Sequence, residues 1–157
     1  MGTVIVLGST ITDLVARASR LPLPGEAVIG DDFATFLGGK GFNQAVAAAR
    51  LGASVRLIGR VGTDVFGDSF SSALSNEGID NSHLTRDPNT GTGTACVMIG
   101  TDTGQNAIIV LPRANLALTP KWLRKLSNPS SYNLLPRQIH AFSWPNARCV
   151  WPLSPRD

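Results

Sequence analysis

Gly38-Gly39-Lys40-Gly41-Phe42-Asn43-Gln44-Ala45 sets three glycines around one lysine, with an alanine-rich apolar run directly behind. Glycine removes the Cβ and permits positive φ, so backbone N–H groups can approach a ligand closely. A helix starting here aims its free N–H groups and the positive end of its dipole at that ligand. Lys40 adds a charged donor, and Asn43 adds an amide that donates and accepts. The stretch reads as a polar cradle for a hydroxyl-rich or anionic molecule. The plain alternative is a tight turn before a helix with a solvated lysine. Neither the G-x-x-x-x-G-K-[ST] loop nor the G-x-G-x-x-G fingerprint is present.

Phe42, Ala45, Val46 and Ala49 repeat at i, i+3, i+4, i+7, and Gly52 sits where a C-cap belongs, which predicts a helix from Phe42. Val4 to Leu7, closed by Gly8, predicts a buried strand, as does Val55 to Val61. Asp64 is placed to cap a second helix with Phe66, Phe70, Ala73 and Leu74 on one face and Gly78 after it. Ala27 to Leu37 is strand-like with imperfect alternation. Ala95 to Ile99 and Ala107 to Leu111 are apolar runs separated by a polar turn, a hairpin or two neighbouring strands. Alternating strands and helices argue for α/β architecture with a mainly parallel sheet. The strand-like insert before the first helix suggests strands that leave the main sheet.

The chain has 157 residues, enough for one core. Its formal charge of +3 is uneven: residues 1–112 carry −3 and residues 113–157 carry +6. All 16 glycines precede Gln105, and 6 of the 10 prolines fall from Pro120 onward. The basic balance therefore belongs to the tail and is not a nucleic-acid footprint of the folded part. Lys121 to Leu126 reads as a short helix, after which prolines interrupt every period; residues 121–157 read as an irregular, disordered unit beside a 1–120 domain. The apolar run at the N-terminus is too short for a membrane span, so no membrane association is expected and the cytoplasm is the expected setting. Cys96 and Cys149 make no metal or redox spacing, and Cys96, inside an apolar run, reads as core.

Several collinear segments, from about residue 3 to 120, resemble the PfkB carbohydrate kinases in their ribokinase form. Residues 38–53 resemble the family's first signature. Gly8-Ser9-Thr10-Ile11-Thr12-Asp13 resembles its opening strand and substrate aspartate, and Pro24-Gly25-Glu26 the turn before the lid strand. Gly59 to Gly67 resembles the second-strand motif, and Ala114 to Pro120 the segment after the lid. The resemblance implies an α/β/α sandwich with a small β-sheet lid over a sugar site. It implies sugar contacts at Ile11, Thr12, Asp13, Gly39, Lys40, Gly41, Asn43, Ala95 and Val97. Asp13 would accept hydrogen bonds from two hydroxyls, and Ala95 and Val97 would line the lid wall. Three positions depart from the pattern: Ile11 replaces a sugar-contacting Asn, Phe42 replaces a small residue and narrows the pocket, and Arg113 replaces a Gly.

The family implication is ATP-dependent phosphorylation of a pentose, ribose first, with Mg²⁺ and a possible monovalent cation. In that family the base sits in a Gly-Ala-Gly-Asp motif and Mg²⁺ placement involves Asn-x-x-Glu; neither occurs here. The expectation is a truncated sugar-binding part with no catalytic residue of its own and poor nucleotide binding. It would be inactive alone, with a lid that pairs with a second copy or with a full-length kinase. The alternative is a non-catalytic sugar-binding or dimerising regulatory fragment.

Overall fold

The computed structural model describes residues 3–119, 121 and 139–143. Two four-stranded sheets share the chain. The elements run β1 (Thr3–Gly8), β2 (Ile11–Ala18), β3 (Asp32–Gly38), α1 (Lys40–Arg50), β4 (Ser54–Gly62), α2 (Val65–Asn76), β5 (Asp80–Asp87), β6 (Gly93–Gly100) and β7 (Gln105–Leu111). A 3-10 turn (Arg113–Ala117) and β8 (Ile139–Ser143) follow.

The first sheet has the order β5-β4-β1-β8, and all its pairings are parallel. Parallel strands need helical cover, and the residue pattern supplies it. Val55, Leu57 and Val61 alternate onto one face of β4. There they join Val6, Phe42 and Ala45 of α1, and Phe70 and Leu74 of α2, in one cluster. Phe42 and Phe70 meet edge to face, with centroids 5.1 Å apart. The opposite face of β4 presents Arg56 and Arg60, which pair with Asp80 and Asp87 of β5.

The second sheet, β3-β2-β6-β7, is mixed. β2 runs antiparallel to β3 and parallel to β6, and β6 and β7 form a hairpin. The insert expected to leave the main sheet does so, though its strand starts at Asp32 rather than Ala27.

Four further readings change. β2 and β5 are strands that the apolar pattern did not announce. β5 (DNSHLTRD) has a single aliphatic side chain, Leu84, and is held by its ladder to β4 and by the two ion pairs. Cys96 is exposed, because β6 has two unlike faces and Cys96 lies opposite Ala95. Past Pro120, where no strand was expected, Ile139–Ser143 pairs with β1. The short helix expected beyond Lys121, the later prolines and Cys149 lie outside the described residues.

Candidate functional site

A cavity of about 510 Å³ opens where the second sheet overhangs the carboxyl end of β1 and the start of α1. Outside the carboxyl ends of parallel strands is where α/β folds keep their ligands. Ile11, Asp13 and Val15 share one face of β2 by the two-residue strand period. The register then sets Ala95 and Phe36 on either side of Asp13, and Val97 beside Val15. β7 contributes Ile108 and Val110 opposite Val97 and Ala95. Ser9, Gly39, Lys40, Pro112 and Asn115 complete the lining.

The approach of α1 depends on glycine. Gly39 is the N-cap of α1 at φ 88°, and a Cβ there would lie 2.6 Å from the Ser9 carbonyl oxygen. No side chain caps α1. Gly41 packs on Gly8 so closely that an added Cβ would fall 2.5 Å from the Gly8 carbonyl carbon. The Phe42 N–H donates to Ser9 O at 3.2 Å. The helix start is thereby drawn against the β1–β2 crossing, and its positive end faces the cavity beside Lys40.

Among the described residues, Asp13 is the one carboxylate on the wall. Burial pushes its carboxyl above the ordinary 3.8, because desolvation penalises the charged form. A ligand that donates hydrogen bonds to it relieves that penalty. Apolar side chains form most of the remaining wall, from Ile11, Val15, Phe36, Ala95, Val97, Ile108, Val110 and Pro112. The site therefore fits a small molecule with clustered hydroxyls at one end and a C–H face to lay on hydrocarbon.

Of the nine residues expected to contact sugar, Ile11, Asp13, Gly39, Lys40, Ala95 and Val97 meet on this cavity. Thr12, Gly41 and Asn43 do not line it. Thr12 points to the opposite face of β2 and is buried there with its hydroxyl unpartnered. Gly41 serves the close packing on Gly8, and the Asn43 side chain is exposed on α1. Phe42 does not narrow the pocket, since it belongs to the core cluster with Phe70. Phe36, Val15, Ile108, Val110 and Asn115 were not anticipated. The strand alternation of β3 and β7 carries the signal for three of them, once the register is known. Asn115 is fully buried; it accepts from Thr10 N–H at 3.0 Å and donates to Thr10 O at 2.8 Å and Pro112 O at 2.9 Å. Asp64 is a structural cap, as expected: it accepts from Gly67 N–H at 3.0 Å and from both the N–H and hydroxyl of Thr92.

Among the described residues no group of three or more His, Cys, Asp or Glu could hold a metal ion. Among the described residues lining the cavity, the charged groups are the Asp13 carboxylate and the Lys40 ammonium. No helix among the described residues is long and apolar enough to cross a membrane.

The family model for the pfkB family carbohydrate kinases matches residues 1–134. The chain belongs to that family. It is 40% identical over 125 residues to a mouse ribokinase, covering 80% of this chain and 38% of that protein. A Bacillus subtilis ribokinase is 40% identical over 122 residues, covering 78% of this chain and 41% of that protein. The solved ribokinase of Giardia lamblia superposes with a TM-score of 0.71 at 31% identity, covering 79% of this chain and 37% of its own. The Arabidopsis thaliana ribokinase, solved with ribose and ATP, gives 0.65 at 35% identity, covering 71% and 36%. This pfkB chain thus spans about two-fifths of the length of the curated relatives it matches.

Proposed function

We propose that this chain holds an aldopentose, D-ribose in the first instance, as the sugar-binding part of an ATP-dependent kinase acting on the 5-hydroxyl. The observation that carries the reading is the convergence of Asp13, Gly39 and Lys40 on one cavity beneath the second sheet. Asp13 accepts hydrogen bonds from two vicinal hydroxyls, the charge-assisted class and the stronger one. Lys40 and the N–H groups at the start of α1 donate to further oxygens. Phe36, Ala95, Val97 and Ile108 cover the ring and exclude water.

The full reaction takes its phosphoryl group from ATP with Mg²⁺. The residues named above serve the sugar, and no step through the nucleotide is assigned to them. The reading expects sugar binding without turnover from these 157 residues, in a cytoplasmic setting. A second reading, a dimerising or regulatory fragment, is favoured by the apolar exposure of β7, where Ile109 is 61% exposed on an edge strand. That surface would pair with another copy or with a longer kinase.

Titration calorimetry with ribose tests the first reading, with ATP as the control. Millimolar or tighter ribose binding (about −4 kcal/mol or better) without an ATP signal is the expected outcome. No ribose heat would overturn the sugar site, and phosphorylation by the purified chain would overturn the expectation of no turnover.

A further inference from the structure

Arg113 is, among the described residues, the one non-glycine at positive φ, at 48°. A strained residue persists where its surroundings over-determine it. Its surroundings are the two roots of the β6–β7 hairpin. The backbone of Arg113 follows the exit of β7, through Pro112. Its side chain crosses back to the entrance of β6. The guanidinium lies on Gly91: a Cβ built there would be 2.4 Å from Cζ and 2.8 Å from Nη1. Nη1 donates to Thr92 O at 3.4 Å, and the next residue, Ala114, donates its N–H to Gly91 O at 3.0 Å.

Thr92 is in turn fixed to the first sheet. Its hydroxyl donates to Asp64 Oδ1 at 2.6 Å and accepts from Gly62 N–H at 2.9 Å, and its N–H donates to Asp64 Oδ2 at 2.8 Å. Burial pushes the Asp64 carboxyl up, but hydrogen bonds from Thr92 and Gly67 and the Arg113 charge outweigh it and leave the group below 3.8. Arg113 thus stands at the end of a chain of contacts that runs from the cap of α2, through Thr92, to the residue that follows the hairpin.

We propose that Arg113 is a positioning residue that ties the two roots of the β6–β7 hairpin together, its backbone following β7 and its guanidinium gripping Gly91 and Thr92 before β6, and so holds Ala95, Val97, Ile108 and Val110 over the cavity. Its consequence for sugar affinity rests on the reading of the cavity given above; its effect on the hairpin does not. A glycine here would relax the backbone and remove the guanidinium from Gly91 and Thr92, leaving the Ala114–Gly91 bond and the Thr94–Leu111 end of the ladder to join the two roots. Asn tolerates the left-handed region far better than most side chains, so R113N removes the guanidinium with little change in strain, and R113K keeps a charge without the planar fork.

Hydrogen exchange on the full chain reads the hairpin directly, and ribose calorimetry reads the wall. In R113G and R113N, amide exchange in β6 and β7 is expected to quicken about tenfold or more, with β1 and β4 unchanged. R113K should fall between these variants and the parent. Ribose affinity should weaken by a similar factor. Unchanged protection of β6 and β7 in both R113G and R113N would overturn the proposal. So would equal acceleration in all strands, which marks a general loss of stability. Absence of ribose binding by the parent chain would sink the sugar reading alone, and exchange would still decide the role of Arg113.

Discussion

The two sheets divide the work of this chain unequally. The β5-β4-β1-β8 sheet lays Val6, Val55, Leu57 and Val61 against α1 and α2, and its inner residues are almost fully enclosed. The β3-β2-β6-β7 sheet leaves Phe33, Phe36, Ile108 and Ile109 half exposed or more, yet it supplies most of the described cavity wall and the Asp13 carboxylate on it. The buried core lies against one layer, and most of the cavity wall belongs to the other. Under the proposed function, the open apolar surface of the second sheet is what a cover over a sugar would need in order to part from it.

The contrast is most easily broken from the core side. Phe70→Ala removes a fully buried ring from the cluster that both helices share, and should cost about 3–5 kcal/mol. Thermal or urea unfolding would measure it. A change below 1 kcal/mol would mean that the helices do not anchor the fold.

On the recognition side, Asp13→Ala should reduce ribose affinity at least about 100-fold, since hydrogen bonds to a charged group are worth roughly 1.5–3 kcal/mol each. Undiminished binding would place the sugar elsewhere. Asp13 also gives a signed pH effect. Its carboxyl is raised by burial in the folded chain, so the native state holds its proton above pH 3.8, where the unfolded chain has released it. The stability linked to Asp13 is therefore present at low pH and is lost as pH rises through the folded pKa. Asp13→Asn should remove that loss and stabilise the ligand-free chain at neutral pH, which melts across pH would reveal. Ribose, bound to the ionised form, should bind more weakly as the pH is lowered through the same window.

Asp64 joins the two regions, and its removal should fall between these effects and none. Asp64→Ala deletes the cap of α2 and the acceptor of Thr92, at about 1–2 kcal/mol. Its carboxyl is lowered, so its contribution is present above pH 3.8 and fades as pH falls through the folded value. Indifference to pH in that range would deny it the charged role.

The smallest effect belongs to the open sheet. Ile109→Ser should change the stability of the single chain by no more than about 0.5 kcal/mol. A larger loss, or a shift in sedimentation coefficient, would show that β7 is covered in solution and would weaken the division drawn between the layers.

Much of the first sheet could be read ahead of the structure. Val4–Leu7 and Val55–Val61 are apolar runs, and Asp64 and Gly78 mark the ends of α2. The second sheet was less legible. β2 mixes Asp13 and Arg17 with aliphatics because one of its faces borders a cavity. β5 was hidden because backbone pairing and ion pairs, not apolar side chains, hold it. Cys96 read as core because a run such as Ala95–Ile99 does not reveal which of its faces meets solvent.

Local chemistry was enough to specify the glycine turn and the helix behind it, while the parallel α/β plan and the family rest on the order of local segments along the chain. Which side chains share the cavity was decided only by tertiary structure. Thr12 and Asp13 are neighbours in sequence and lie on opposite faces of β2, whereas Asp13, Lys40 and Val110 meet across long separations. Strand register and the packing of Gly41 on Gly8 fix those meetings, and both arise from pairing between distant segments that no local pattern encodes.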